Sequence, residues 1–144
     1  MTQEREETFN QYKKNLDKLY EEIAMWSEQN SLTTSSETIE ISVDASERAT
    51  LKKLLLRDEN QDTIATLIPI SAWVIGAKGR IDFVGTNDKA ILVYLKANTP
   101  QSFFKNIDDD AWYWIEDKRR GKAYKLDNEF FNELLLMVSD YECN

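Results

Sequence analysis

Glycine and proline are confined to one part of this 144-residue chain. All four glycines and both prolines lie between Pro69 and Gly121, so residues 1–68 contain neither type. These two residue types are the strongest local interruptions of helices and strands. The first half of the chain therefore permits a long uninterrupted helix, and its turns must be formed by Ser, Asn and Asp. The later part is suited to short strands joined by tight turns.

An apolar stripe with helical spacing runs through the start of the chain. Its members recur every three or four residues, which places them on one face of a helix predicted over residues 3–29. The stripe spans about two and a half heptads, short of the three or four that indicate a coiled coil. We expect this helix to dock on its own domain, with oligomerisation through the same face as the alternative. The stripe consists of Phe9, Tyr12, Leu16, Leu19, Ile23 and Trp26.

A Ser- and Thr-rich segment, residues 27–37, follows, and we interpret it as a linker. After it, apolar residues recur at every second position instead of every third or fourth. Apolar and polar residues alternate from Ile39 to Asp44, as in a half-buried strand. Residues 50–57 fit either a strand or a helix. The polar turn that follows them favours a hairpin with residues 63–70.

Short apolar segments separated by turns continue to the last quarter of the chain. They predict an antiparallel meander of about six to eight strands over residues 38–126. Within it, residues 73–75 and 80–84 are expected to pair around Gly76 and Gly79. Residues 90–95 are apolar on both faces, which predicts a strand that is covered on both sides.

The C-terminal segment has the signals of a helix over residues 127–141. Asp127 is a suitable N-cap, and Leu126 and Phe131 occupy the positions of a hydrophobic staple. The helix has a broad apolar face and is expected to pack on the sheet. Together these elements predict one domain, residues 1–144, of the α+β class.

The residues that the chain lacks exclude several kinds of chemistry. It has no histidine and one cysteine, Cys143. Nucleophile systems that use histidine as the base are therefore absent from this chain, as are zinc sites built from His and Cys. We expect no metal and no cofactor, and catalysis is disfavoured. The N-terminus does not resemble a signal peptide and no run is long enough to span a membrane, so the cytoplasm is the expected location.

One motif resembles a calcium loop but fails the full pattern. Asp58, Asn60 and Asp62 have the spacing of the first EF-hand ligands. Thr63 stands where the loop needs glycine, and Pro69 stands where it needs the bidentate glutamate. We therefore interpret this segment as a hairpin turn. The acidic run of residues 108–110 is likewise interpreted as a charged loop.

Residues 112–125 combine aromatic side chains with cations. Five of the 18 basic residues fall between Lys118 and Lys125, with no acid among them. Trp, Tyr and Arg are frequent hot spots of protein interfaces, and aromatic residues beside cations also suit single-stranded nucleic acid. The net charge of −8 opposes a nucleic acid, so a protein interface is the favoured functional interpretation, beside a purely structural hairpin. The candidate interface consists of Trp112, Trp114, Lys118, Arg119, Arg120, Lys122, Tyr124 and Lys125.

These observations favour a non-catalytic protein-binding domain. An acidic domain suits the neutralisation or regulation of a basic partner, as an immunity protein or an adaptor would do. A second copy of the chain is the other protein partner considered, through the stripe of the N-terminal helix. The alternative function is a small-ligand-binding domain, or a carboxylate-based enzyme, with a pocket between sheet and helix. Nucleic acid and membrane are not expected as partners.

Overall fold

The computed structural model describes residues 2–43, 47–116 and 122–143. A long helix comes first, seven strands follow, and a shorter helix ends the chain, which is the predicted α+β arrangement. The elements are α1 (Gln3–Glu28), β1 (Thr33–Ser42), β2 (Arg48–Arg57), β3 (Thr63–Ser71), β4 (Arg80–Gly85), β5 (Lys89–Leu95), β6 (Ala111–Ile115), β7 (Ala123–Lys125) and α2 (Asn128–Ser139).

The seven strands form one antiparallel sheet in which every strand pairs with its neighbours in sequence. Both helices pack with the sheet into one main hydrophobic core. A smaller core lies on the opposite face of β5 and β6, where Phe104 and Ile107 of the loop after β5 cover it. The prediction that β5 is covered on both sides is confirmed, since Leu92 belongs to the main core and Val93 to the smaller one.

The stripe of α1 is buried within its own chain. All six of its side chains are at most 8% exposed. Tyr12 lies at the centre, where its hydroxyl donates a hydrogen bond of 2.7 Å to the carbonyl oxygen of Arg80. Gly79 packs directly against the Tyr12 ring. The stripe therefore serves the predicted docking of α1 on the sheet, and pairing of two chains through it would require α1 to leave the sheet.

Hydrogen bonds and ring contacts fix both ends of α1. Near its start, the Arg5 guanidinium donates to the carbonyl oxygen of Val43 at 2.8 Å and lies 4.1 Å from the centre of the Trp73 ring. Near its end, the Trp26 ring contacts Phe131 of α2, with 5.6 Å between ring centres. These contacts make α1 part of the domain rather than a separate arm.

The hairpin of residues 50–57 with 63–70 is confirmed, because β2 pairs antiparallel with β3. The expected linker is shorter than residues 27–37, since β1 already begins at Thr33. The first part of β1 is polar because it lies at the sheet edge and is mostly exposed, so it lacks the alternation that marks a half-buried strand.

The predicted strand at residues 73–75 is not formed. β3 ends at Ser71 after an irregularity next to Pro69, and residues 72–79 form a loop with one isolated bridge, between Val74 and Ala77. Proline lacks the N–H that a central strand needs and is found at such irregularities. Trp73 of this loop stacks on Phe9 of α1 instead of extending the sheet, whereas Ile75 is exposed to solvent.

The C-terminal helix begins as its sequence predicts. The Asp127 side chain accepts a hydrogen bond of 2.8 Å from the backbone N–H of Phe130, which caps the helix. Phe131 is buried against Phe83 of β4, with stacked rings 5.9 Å apart. In the part of the chain that the structure describes, neither helix is long and apolar enough to cross a membrane.

Candidate functional site

The candidate interface of residues 112–125 divides into buried and exposed parts. Trp112 is only 6% exposed, and its indole N–H donates to the carbonyl oxygen of Asn15 at 3.1 Å. Trp114 is half-buried, whereas Tyr124, Lys122 and Lys125 are exposed. Lys118, Arg119 and Arg120 lie outside the described residues. Trp112 therefore has a packing role, and the exposed members of the candidate interface among the described residues are Lys122, Tyr124 and Lys125.

A cleft between β6, β7 and α2 is the first concave site. It has a volume of about 430 Å³. Among the described residues, five carboxylates and one lysine, Lys125, line it, and we call it the acidic cleft. The five are Asp108, Asp109, Asp127, Glu129 and Glu133.

Two of these carboxylates have clear structural roles. Asp127 caps α2, and Asp109 forms a 2.8 Å ion pair with Lys125. That pair raises the pKa of the Lys125 ammonium group, because the hydrogen bond to Asp109 favours the charged form. Asp108 and Glu133 are exposed and form no ion pair with any described residue. The cleft therefore keeps negative charge that no described residue neutralises through an ion pair.

Aromatic rings form one wall of the acidic cleft. Tyr124 and Phe130 are stacked with their ring centres 6.0 Å apart, and both line the cleft. Trp114 supports them from behind, at 5.5 Å from Tyr124 and 5.6 Å from Phe130. Tyr124 remains 39% exposed. An exposed ring beside free carboxylates provides both an apolar and an electrostatic contact for a cationic side chain.

A groove between α1 and the β5–β7 end of the sheet is the second concave site, and we call it the helix groove. It has two adjoining chambers of about 540 and 270 Å³. Gln11, Asn15, Tyr94 and Lys96 line both chambers. The alternative hypothesis from the sequence, a ligand-binding domain or a carboxylate-based enzyme, expects a pocket between sheet and helix. The helix groove lies at that location.

The charge of the helix groove is opposite to that of the whole chain. Among the described residues, five lysines and three acids line it. Lys96 is paired with Asp110 at 2.9 Å. The pKa of the Asp110 carboxyl is lowered by a hydrogen bond from the backbone N–H of Ala97 and by Lys96. The lysines are Lys14, Lys18, Lys78, Lys96 and Lys125.

No group of three or more potential ligand residues of the kind that holds a metal ion occurs among the described residues. In the segment that resembles a calcium loop, the Asp58 carboxylate instead accepts hydrogen bonds from the backbone N–H groups of Asn60 and Asp62, at 2.9 and 3.0 Å. The Asp58 carboxylate therefore stabilises the turn between β2 and β3 through hydrogen bonds to its backbone.

Comparison of the chain with models of known protein families, with curated proteins and with solved structures finds no match. The functional argument therefore depends on the chain's own geometry and charge.

Both concave sites contain residues that the sequence did not single out as functional. In the acidic cleft, Asp108 and Glu133 are 25 positions apart and come together only because α2 packs beside β6 and β7. In the helix groove, Lys14 and Lys18 are one helical turn apart on α1. That spacing was a usable signal, because residues four apart share a helix face. Their position opposite Tyr94 depends on how α1 crosses the sheet.

Proposed function

We propose that this protein is a non-catalytic binding domain that recognises a basic protein partner through the acidic cleft. The observation that carries the proposal is the combination of carboxylates that form no ion pair with the described residues and a partly exposed aromatic pair, Tyr124 and Phe130, which Trp114 supports. The cytoplasm remains the expected location.

The chemistry of the cleft favours a lysine or arginine side chain of the partner. A guanidinium group stacks on an aromatic face and donates hydrogen bonds to carboxylates. The net charge of −8 adds long-range attraction that speeds encounter with a basic protein. Neutralising or regulating such a partner, as an immunity protein or adaptor does, is the biological role that we propose.

The location of binding can be tested with a short blocked arginine-rich peptide. Amide chemical shifts of the isotope-labelled protein are recorded during titration. We expect the largest changes at residues 106–109 and 123–133, which surround the acidic cleft. The matched control is the same peptide with each arginine replaced by citrulline, which retains the shape of the side chain but is neutral.

The proposal predicts that the citrulline peptide causes no comparable changes. Equal chemical-shift changes with both peptides would show that the positive charge of the arginines does not determine binding. Changes scattered over other acidic surfaces, such as the exposed first turn of α1, would show that the chain attracts cations without a defined site. Either result would contradict the proposal.

A further inference from the structure

The helix groove contains a buried polar group whose hydrogen bonding is incomplete. Asn15 is 8% exposed, and its side-chain oxygen accepts a hydrogen bond from Gln11 at 3.1 Å. Its side-chain nitrogen has no partner among the described residues. A buried donor without an acceptor costs about 1–3 kcal/mol. Because Asn15 lines both chambers of the groove, a molecule bound there can supply the missing acceptor.

The charged groups around Asn15 indicate an anion. Lys14, Lys18 and Lys78 line the groove and form no ion pair with the described residues. Lys14 and Lys18 project from the helix that carries Asn15. Lys78 is held on the other side, because its backbone N–H donates to the carbonyl oxygen of Tyr94 at 2.8 Å. The free cations thus lie on both walls of the groove.

Tyr94 adds a neutral hydrogen-bond donor. Its ring is fixed by an edge-on contact with Trp112, 5.5 Å between ring centres. Burial, reinforced by the charge of Asp110, raises the pKa of its hydroxyl above the usual value. The hydroxyl therefore keeps its proton near neutral pH. Its half-buried ring also offers an apolar surface to the rest of a bound molecule.

We propose that the helix groove binds a small phosphorylated molecule, with Lys14, Lys18 and Lys78 around the phosphate and Asn15 donating to one of its oxygens. Phosphate is favoured over carboxylate because the groove presents lysines, which bind phosphate as point charges. Planar carboxylates are better matched by the fork of an arginine, and no arginine lines the groove in the described part of the chain. The combined volume suits a small molecule.

The overall charge of the protein does not prevent this binding. At physiological salt, charges beyond a Debye length of about 8 Å are largely screened. The five lysines outnumber the three acids that line the groove with them, Glu7, Glu22 and Asp110, and the more distant acids of the chain are screened. Lys125 is the only described residue that lines both the groove and the acidic cleft, so either proposal can fail without the other.

The test is isothermal titration calorimetry of the intact chain with AMP, pyrophosphate and adenosine as probes. We expect AMP and pyrophosphate to bind with dissociation constants below about 1 mM and adenosine not to bind detectably. Absence of binding by both phosphorylated probes, or equal binding of AMP and adenosine, would overturn the proposal.

Variants then locate the site. We expect Lys14→Gln with Lys18→Gln to weaken AMP binding by about tenfold or more, since two cations that face the phosphate are lost. The matched control is Lys13→Gln with Lys105→Gln, which removes the same charge from exposed positions outside the groove. Equal losses in the two pairs would show that only net charge matters and would overturn the proposal.

Asn15→Leu separates ligand binding from folding. It removes the unpartnered donor and keeps the size of the side chain, so folding should be retained. We expect the thermal midpoint of the unliganded protein to be unchanged or higher, while AMP binding weakens by about tenfold. A folded Asn15→Leu variant with unchanged AMP affinity would show that the donor serves an internal water instead of the ligand and would contradict the role given to Asn15.

Discussion

Replacement of Gly79 by alanine tests how α1 is docked on the sheet. Gly79 has a φ of +151°, a conformation that L-residues with a side chain rarely adopt. A methyl group there would lie 2.6 Å from Cε1 of Tyr12 and closer still to Cδ1. Tyr12 is fully buried and held by its hydrogen bond to Arg80, so its ring has no space into which to move.

Two costs add in the Gly79→Ala variant. An unfavourable backbone conformation costs on the order of 1–3 kcal/mol. Overpacking in a core costs roughly another 1–3 kcal/mol. We therefore expect a loss of about 2–6 kcal/mol, a large share of the 5–15 kcal/mol or so that stabilises a domain.

Gly76→Ala is the matched control for this experiment. Gly76 also has a positive φ, of +80°, and a methyl group there would lie 2.8 Å from Cγ of Phe103, which is 42% exposed, unlike the fully buried Tyr12. The backbone cost of about 1–3 kcal/mol applies to it as well, but the overpacking cost should be smaller because Phe103 is partly exposed and lies outside both hydrophobic cores. Urea unfolding followed by tryptophan fluorescence measures both losses. If Gly79→Ala costs no more than Gly76→Ala, the close contact between α1 and the loop before β4 is refuted.

Three further outcomes follow from the packing and the charges. Asp82→Asn should reduce the free energy of unfolding by roughly 1–3 kcal/mol in the same urea assay. The substitution weakens the ion pair of this buried carboxylate with Arg80, which lies 2.8 Å away. An unchanged urea midpoint would contradict that role. Burial raises the pKa of the Tyr12 and Tyr20 hydroxyls above their usual value of 10.0, so the folded chain holds those protons more tightly than the unfolded chain. Their contribution to stability should be constant up to about pH 10 and fall above it, as a pH series of urea midpoints would show, and a rise would contradict the assignment. Light scattering should give the 16.8 kDa mass of a single chain, because the stripe of α1 is buried internally, whereas twice that mass would support pairing of two copies.

Much of the fold could be predicted because its signals are local. The spacing of the α1 stripe and the capping of α2 by Asp127 depend on residues close in sequence, and both elements form as expected. The start of β1 could not be predicted from hydrophobic pattern, because a sheet edge leaves its side chains exposed and polar. The strand predicted at residues 73–75 is wrong for the opposite reason, since these residues are apolar but lie in a loop, where Trp73 contacts α1 and Ile75 is exposed.

The candidate sites were less predictable than the fold. Alternation along β6 correctly assigns Trp112 and Trp114 to one face. It does not show that α1 covers Trp112 while Trp114 supports a partly exposed pair of rings near the sheet edge. The acidic cleft joins residues before β6 with residues on α2, and the helix groove joins α1 with β5. Both sites form only where elements distant in sequence pack together, and the local pattern of each segment does not predict that packing.

The most direct test of the proposed function is calorimetric binding of the arginine-rich peptide to two charge-matched variants. Asp108→Asn with Glu133→Gln removes two free carboxylates of the acidic cleft, and Glu40→Gln with Glu59→Gln removes two exposed carboxylates elsewhere. Recognition through the cleft predicts that the first pair weakens binding by about tenfold or more, while the second changes it less than about threefold. Equal weakening by the two pairs would contradict the acidic cleft as the binding site.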